Sequence, residues 1–141
     1  MKIKSIALWQ TLFAAGIVLW WALFFFVFRN DPHNSAAYLA FESAFPLPDL
    51  VWLTPLLVQA AKANRQASPL APVWTAAAGG ALVFLGLVDF SFNLQHGVYA
   101  RSLGDGVLNG FINLACVSFG LISVAWSKRQ LTSGGREQQS K

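Results

Sequence analysis

Residues 6–28 contain no charged side chain, and that uninterrupted run constrains the fold more than anything else in the chain. Crossing the hydrocarbon core of a bilayer takes about 20 apolar residues of helix, and this run supplies them. Lys2 and Lys4 precede it and Arg29 closes it. A cleaved signal peptide has an apolar core of about 7–15 residues and small residues at the cut site. Here the run ends in Phe24, Phe25, Phe26, Val27 and Phe28, so it reads as a retained membrane helix. Three more apolar segments follow, at about 47–63, 73–96 and 106–127. Lipid offers the backbone no water to bond to, so each spanning segment must be a helix.

The expected fold class is therefore all-α, a four-transmembrane-helix bundle. Residues 1–130 are expected to form a single transmembrane domain, with helices at about 6–28, 47–63, 73–96 and 106–127. Residues 131–141 are polar and glycine-containing and are expected to form a disordered cytoplasmic tail. Between the first two helices, residues 29–35 read as a loop punctuated by Asp31 and Pro32. Ser35 can cap a short helix over 36–45 whose Tyr38, Phe41 and Phe45 share one side, which suits the headgroup region. Pro46 and Pro48 suit a helix's first turn. Pro55 lies inside the second helix and predicts a kink that frees a carbonyl. The halves of the chain show no two-plus-two inverted repeat.

Charge sets the orientation. With a cytoplasmic N-terminus, Lys2, Lys4, Lys62, Arg65, Lys128, Arg129, Arg136 and Lys141 fall inside and only Arg29 and Arg101 outside. That positive-inside bias puts both the N- and C-termini in the cytoplasm, as in a multi-pass protein of a bacterial inner membrane. The net charge of +4 then reflects topology, and no nucleic-acid partner is expected. Only 11% of residues are charged, against about 25% in soluble domains. Cys116 is alone, which excludes an intramolecular disulfide, a Cys-x-x-Cys pair and a cysteine zinc site. Thiol–quinone oxidoreductases need paired cysteines and are excluded with them.

The polar chemistry gathers at one level. Asp89, Asn93 and His96 stand at i, i+4 and i+7 of the third helix and share a face. They end a line through Thr75, Ala78, Gly79, Leu82 and Gly86, small at one end and polar at the other. The fourth helix has a similar stripe: Gly106, Asn109, Gly110, Asn113, Cys116, Gly120 and Ser123. Small residues at this spacing let helix backbones approach closely in lipid. In the expected orientation Asp49, Asp89, Asn93, His96, Asn109 and Asn113 lie in the outer half. They would line a cavity walled on the first helix by Trp20, Trp21, Phe24, Phe25 and Phe28.

Asn109 and Asn113 also fit a plain network fastening two helices. An intramembrane carboxylate such as Asp89 is a functional candidate by default, with His96 as its acid–base partner. Asp89 and His96 are thus the catalytic candidates, and the six residues together are the ligand-binding candidates. Glu42 and Asp49 read more simply as a solvated pair at a helix start. His33, His96 and the acidic residues lack metal-ligand spacing, and no cofactor motif is present.

Glu42-Ser43-Ala44-Phe45-Pro46-Leu47-Pro48 resembles the acidic-aromatic-proline start of the second helix in the EXPERA group. That group comprises four-helix sterol isomerases and sigma-2-receptor-like proteins. The resemblance implies binding of lipophilic amines or sterols at intramembrane carboxylates. It stops at this segment and does not reach the polar stripe of the third helix. The function expected from the residues is binding of a lipophilic small molecule or a partner helix in the polar cavity. The partners expected are membrane lipids, such a ligand, and a second copy or a membrane-complex partner. A lipid- or sterol-directed acid–base enzyme is the alternative, and a proton-coupled transporter subunit the second alternative.

Overall fold

The computed structural model describes the backbone of residues 3–139 and the side chains of residues 3–133. Among them there is no strand. Four helical spans, Ile3–Asn30, Ala36–Arg65, Ala71–Gln95 and Leu103–Ser133, are long and apolar enough to cross a membrane. The chain divides into two compact units, residues 1–71 and 72–141.

In the first unit, α1 (Ile3–Phe26) runs into a 3-10 turn at Phe28–Asn30. Then comes α2 (Ala36–Glu42), started as expected by Ser35, whose hydroxyl accepts the Tyr38 N–H at 3.1 Å. The second span continues as α3 (Pro46–Pro48), a π-helical turn at Asp49–Leu53 and α4 (Thr54–Arg65). The wide turn answers the problem posed by Pro55. Proline has no N–H for a carbonyl one turn back, and here the Thr54 N–H reaches past that register to the Asp49 carbonyl. Buried residues of α1 (Ile6, Ala7, Gln10, Ala14, Trp21 and Phe24) lie on one face. That face packs on α4, which buries Leu56, Leu57, Ala60, Ala61, Ala63 and Asn64.

Helix α4 ends on Ala67, which takes a left-handed φ of 49° while the Ser68 N–H closes back on the Ala63 carbonyl at 2.9 Å. A β-carbon is strained there by about 1–2 kcal/mol. Ala67→Gly is therefore expected to stabilise the protein by about 0.5–1 kcal/mol, read as a higher midpoint in thermal unfolding.

In the second unit, α5 (Ala71–Gln95) and α6 (Leu103–Gln139) form an antiparallel pair. Gly97, at φ 63°, and the 3-10 turn Val98–Ala100 reverse the chain between them. The expected small-residue surface is the contact. A Cβ placed on Gly79 would lie 2.8 Å from the Gly120 carbonyl oxygen, and one on Gly86 would lie 2.8 Å from Val117 Cγ2. Helix α6 starts at Leu103 rather than Gly106 because Ser102 caps it. The Ser102 hydroxyl oxygen accepts the Asp105 N–H at 3.0 Å, and the hydroxyl donates to Asp105 Oδ2 at 2.8 Å.

The far end differs from expectation as well. Helix does not stop near Ser127 but continues to Gln139, through most of the segment expected to be a disordered tail. Lys128, Arg129, Gln130 and Leu131 are good helix formers, and extending an existing helix is far easier than nucleating one. Thr132 and Ser133 donate their hydroxyls back to the Lys128 and Arg129 carbonyls. Ser140 and Lys141 lie outside the described residues.

Candidate functional site

The third-helix line is inward-facing as spaced. Thr75, Ala78, Gly79, Leu82, Gly86 and Asn93 are buried, Asp89 is half-buried and His96, just past the end of α5, is exposed. On α6, Asn109, Asn113, Cys116, Gly120 and Ser123 are buried. The antiparallel register seen at Gly79–Gly120 and Gly86–Asn113, carried one heptad further, sets Asn93 level with Gly106 to Asn109.

Asn93 is the unusual member. It has 0% exposed surface, and neither its Oδ1 nor its Nδ2 has a hydrogen-bond partner. Each buried polar atom left unpaired costs about 1–3 kcal/mol. Asn113 donates from Nδ2 to the Tyr99 hydroxyl at 2.6 Å, while its buried Oδ1 is unpaired. The Tyr99 hydroxyl is left with its own proton to give. This end of the α5–α6 pair therefore presents two amide oxygens, one amide NH2 and one phenolic O–H. Such a set can pair with a group that both donates and accepts.

The other candidates have partners of their own. Asn109 donates to the Asp105 carbonyl at 2.9 Å, one turn back on its own helix, which fits a structural role. His96 turns to Phe92: its Nδ1 lies 3.1 Å from the Phe92 carbonyl oxygen, and the two rings stack with centroids 4.0 Å apart. The tautomer with hydrogen on Nδ1 donates to that carbonyl. Asp49, in the first unit, accepts from Trp21 Nε1 at 3.0 Å. Trp21 in turn meets Phe24 edge-on at 5.4 Å and Phe25 at 6.1 Å. Glu42 and Asp49 are each only 6% exposed, which corrects the solvated-pair reading. Both lie on the inward side of the span, one heptad apart.

Sequence spacing did not single out Tyr99 or pair Trp21 with Asp49. It also passed over Gln10, fully buried, whose Oε1 accepts from Asn64 Nδ2 at 3.1 Å. The signal for Gln10 was present as a lone amide inside the longest apolar run. Beside it, Arg65 Nη2 donates to Thr11 Oγ1 at 2.7 Å. Among the described residues no group of three or more His, Cys, Asp or Glu is arranged to hold a metal ion. Neither a protein-family model nor a curated protein or solved structure matches the chain, and the likeness of residues 42–48 to the EXPERA group gains no support there.

Proposed function

We propose that this protein is an intramembrane binding protein for a lipophilic molecule whose polar group both donates and accepts hydrogen bonds. Asn93, Asn113 and Tyr99 receive that group. The observation that carries the reading is the enclosed Asn93 side chain, with both amide atoms unpaired. A dry segment tolerates such a group only if something supplies its bonds. A small amide or hydroxyl meets the requirement, and a polar side chain on a partner helix would offer the same chemistry. Asp89, half-buried one turn before Asn93, stands at the edge of the site. The acid–base alternative has less behind it, since the His96 ring is exposed and engaged with Phe92. By the positive-inside count the site faces the outer leaflet, in the inner membrane of a bacterium with both termini cytoplasmic.

The test is thermal unfolding of the detergent-solubilised protein with three additives of equal chain length: a fatty amide, a fatty alcohol and an alkane. The amide and the alcohol are expected to raise the unfolding midpoint of the wild-type protein and the alkane is not. Asn93→Leu is expected to remove the headgroup-dependent rise. It also deletes the unpaired amide, so the additive-free protein should be more stable by about 1–3 kcal/mol. Equal effects of all three additives on both proteins would end this reading.

A further inference from the structure

The far half of α6 carries a second set of unpaired groups. Ser123 is 1% exposed and Trp126 is 6% exposed. Neither Ser123 Oγ nor Trp126 Nε1 has a hydrogen-bond partner. Buried indole N–H groups ordinarily find an acceptor. A tryptophan at the end of a membrane span normally keeps that N–H at headgroup level. Trp126 instead turns inward. The neighbouring hydroxyls are satisfied by backbone: Ser127 donates to the Ser123 carbonyl at 2.9 Å, and Thr132 and Ser133 donate to carbonyls one turn back. Ser123 is the exception in its own neighbourhood.

These two donors continue into a charge. Ser123, Trp126 and Arg129 stand at i, i+3 and i+6, neighbours along a slowly winding stripe. Successive members are about 4.5 Å apart along the axis. Arg129 is exposed, as is Lys128 beside it, and α6 has no acidic residue between Asp105 and Ser133. The stripe thus offers a hydroxyl and an indole N–H, neutral and buried, at its deep end and a cation, exposed, at its outer end. The complementary molecule has neutral oxygen acceptors in its apolar part and a negative charge one helical turn further out.

We infer that Ser123, Trp126 and Arg129 hold an anionic phospholipid, Arg129 at the phosphate and Trp126 and Ser123 at the ester oxygens. The burial of the two deep donors makes this a lipid taken up as the helices assemble and kept through purification. It is separate from the Asn93 site, and Asn93→Leu leaves it intact.

The experiment is native mass spectrometry of the protein purified from membranes, paired with thermal unfolding of lipid-stripped protein. Vesicles of anionic phospholipid, vesicles of zwitterionic phospholipid and inorganic phosphate are supplied in separate arms. The wild-type protein is expected to retain phospholipid and to regain stability with the anionic vesicles only. Trp126→Phe, which removes the N–H and keeps an aromatic ring, should lower retention about tenfold, the effect of one good hydrogen bond. Arg129→Gln, at an exposed position that folding tolerates, should retain lipid without the anionic preference. Stabilisation by inorganic phosphate equal to that by vesicles would make a free anion the ligand and overturn the lipid assignment. Unchanged retention in Trp126→Phe, or a gain in its stability that is the same with and without lipid, would show the N–H to be dry and overturn the site.

Discussion

Gly120→Leu is expected to abolish the packing of α5 on α6, so that the protein no longer runs as a single species in detergent gel filtration and loses its cooperative thermal transition. A Cβ at this position would stand 2.7 Å from the Gly79 carbonyl oxygen, 2.7 Å from Val83 Cγ2 and 3.0 Å from the Val83 nitrogen. Two of those atoms are backbone, so no rotamer change relieves the contact and the helices must separate. Overpacking by a single methyl group costs about 1–3 kcal/mol. Gly120→Ala belongs at the upper end of that range, and leucine adds three further carbons to the same place. Lipid supplies no compensating hydrophobic drive between helices, because a helix moved apart finds surroundings as apolar as those it left. The control is Gly80→Leu. Gly80 adjoins Gly79, yet a Cβ on it meets nothing within 4 Å, so the variant should behave as wild type. Equal damage from both substitutions would mean that the register of α5 on α6 is not the one described.

That contrast also marks what could be read from the chain and what could not. Helical spacing put Gly79 and Gly86 on the inward line and left Gly80 off it, and the burial of Thr75, Ala78, Leu82 and Asn93 follows the same line. Periodicity works here because lipid leaves the backbone one solution, so each apolar run is a helix whose faces can be counted. It fails at contacts between segments far apart in sequence. Nothing in the spacing of residues 6–28 pairs Gln10 with Asn64 or Trp21 with Asp49, since those pairings depend on how α1 lies on the second span. It fails again where a local rule has two outcomes. Acidic residues beside prolines at a helix start are usually solvated, but Glu42 and Asp49 turn inward on a span whose register is shifted by the π-helical turn. The polar tail misled for a third reason: Lys, Arg and Gln count against burial without counting against helix. For the site, the stripe could be read in advance and the hydrogen bonds could not. His96 shared its face with Asp89 and Asn93, but at the end of α5 its ring meets Phe92 instead.

Trp21→Phe should cost about 1.5–3 kcal/mol, the range for a hydrogen bond to a charged acceptor. The indole Nε1 is the donor that the structure brings to the Asp49 carboxylate, at 3.0 Å. A phenyl ring keeps the apolar contact with Phe24 and Phe25 but gives no N–H, and no bulk water within a span replaces it. Asp49→Leu leaves the opposite defect, a neutral donor without an acceptor, and should cost less. Removing both partners leaves neither group stranded, so the double variant is expected near wild type. The four proteins form a cycle whose coupling should fall within about 0.5–3 kcal/mol, measured by reversible unfolding in mixed micelles. A double variant that simply adds the two single losses would show that the bond contributes nothing. The location of the damage separates this contact from general loosening. Asp49 opens the π-helical turn, whereas the Gln10–Asn64 contact lies about 16 Å further along α1. Amide hydrogen exchange in Trp21→Phe should therefore quicken over residues 45–53 and stay slow over 60–65, because the Trp21–Asp49 bond has been cut while the Gln10–Asn64 and Thr11–Arg65 bonds between α1 and α4 remain.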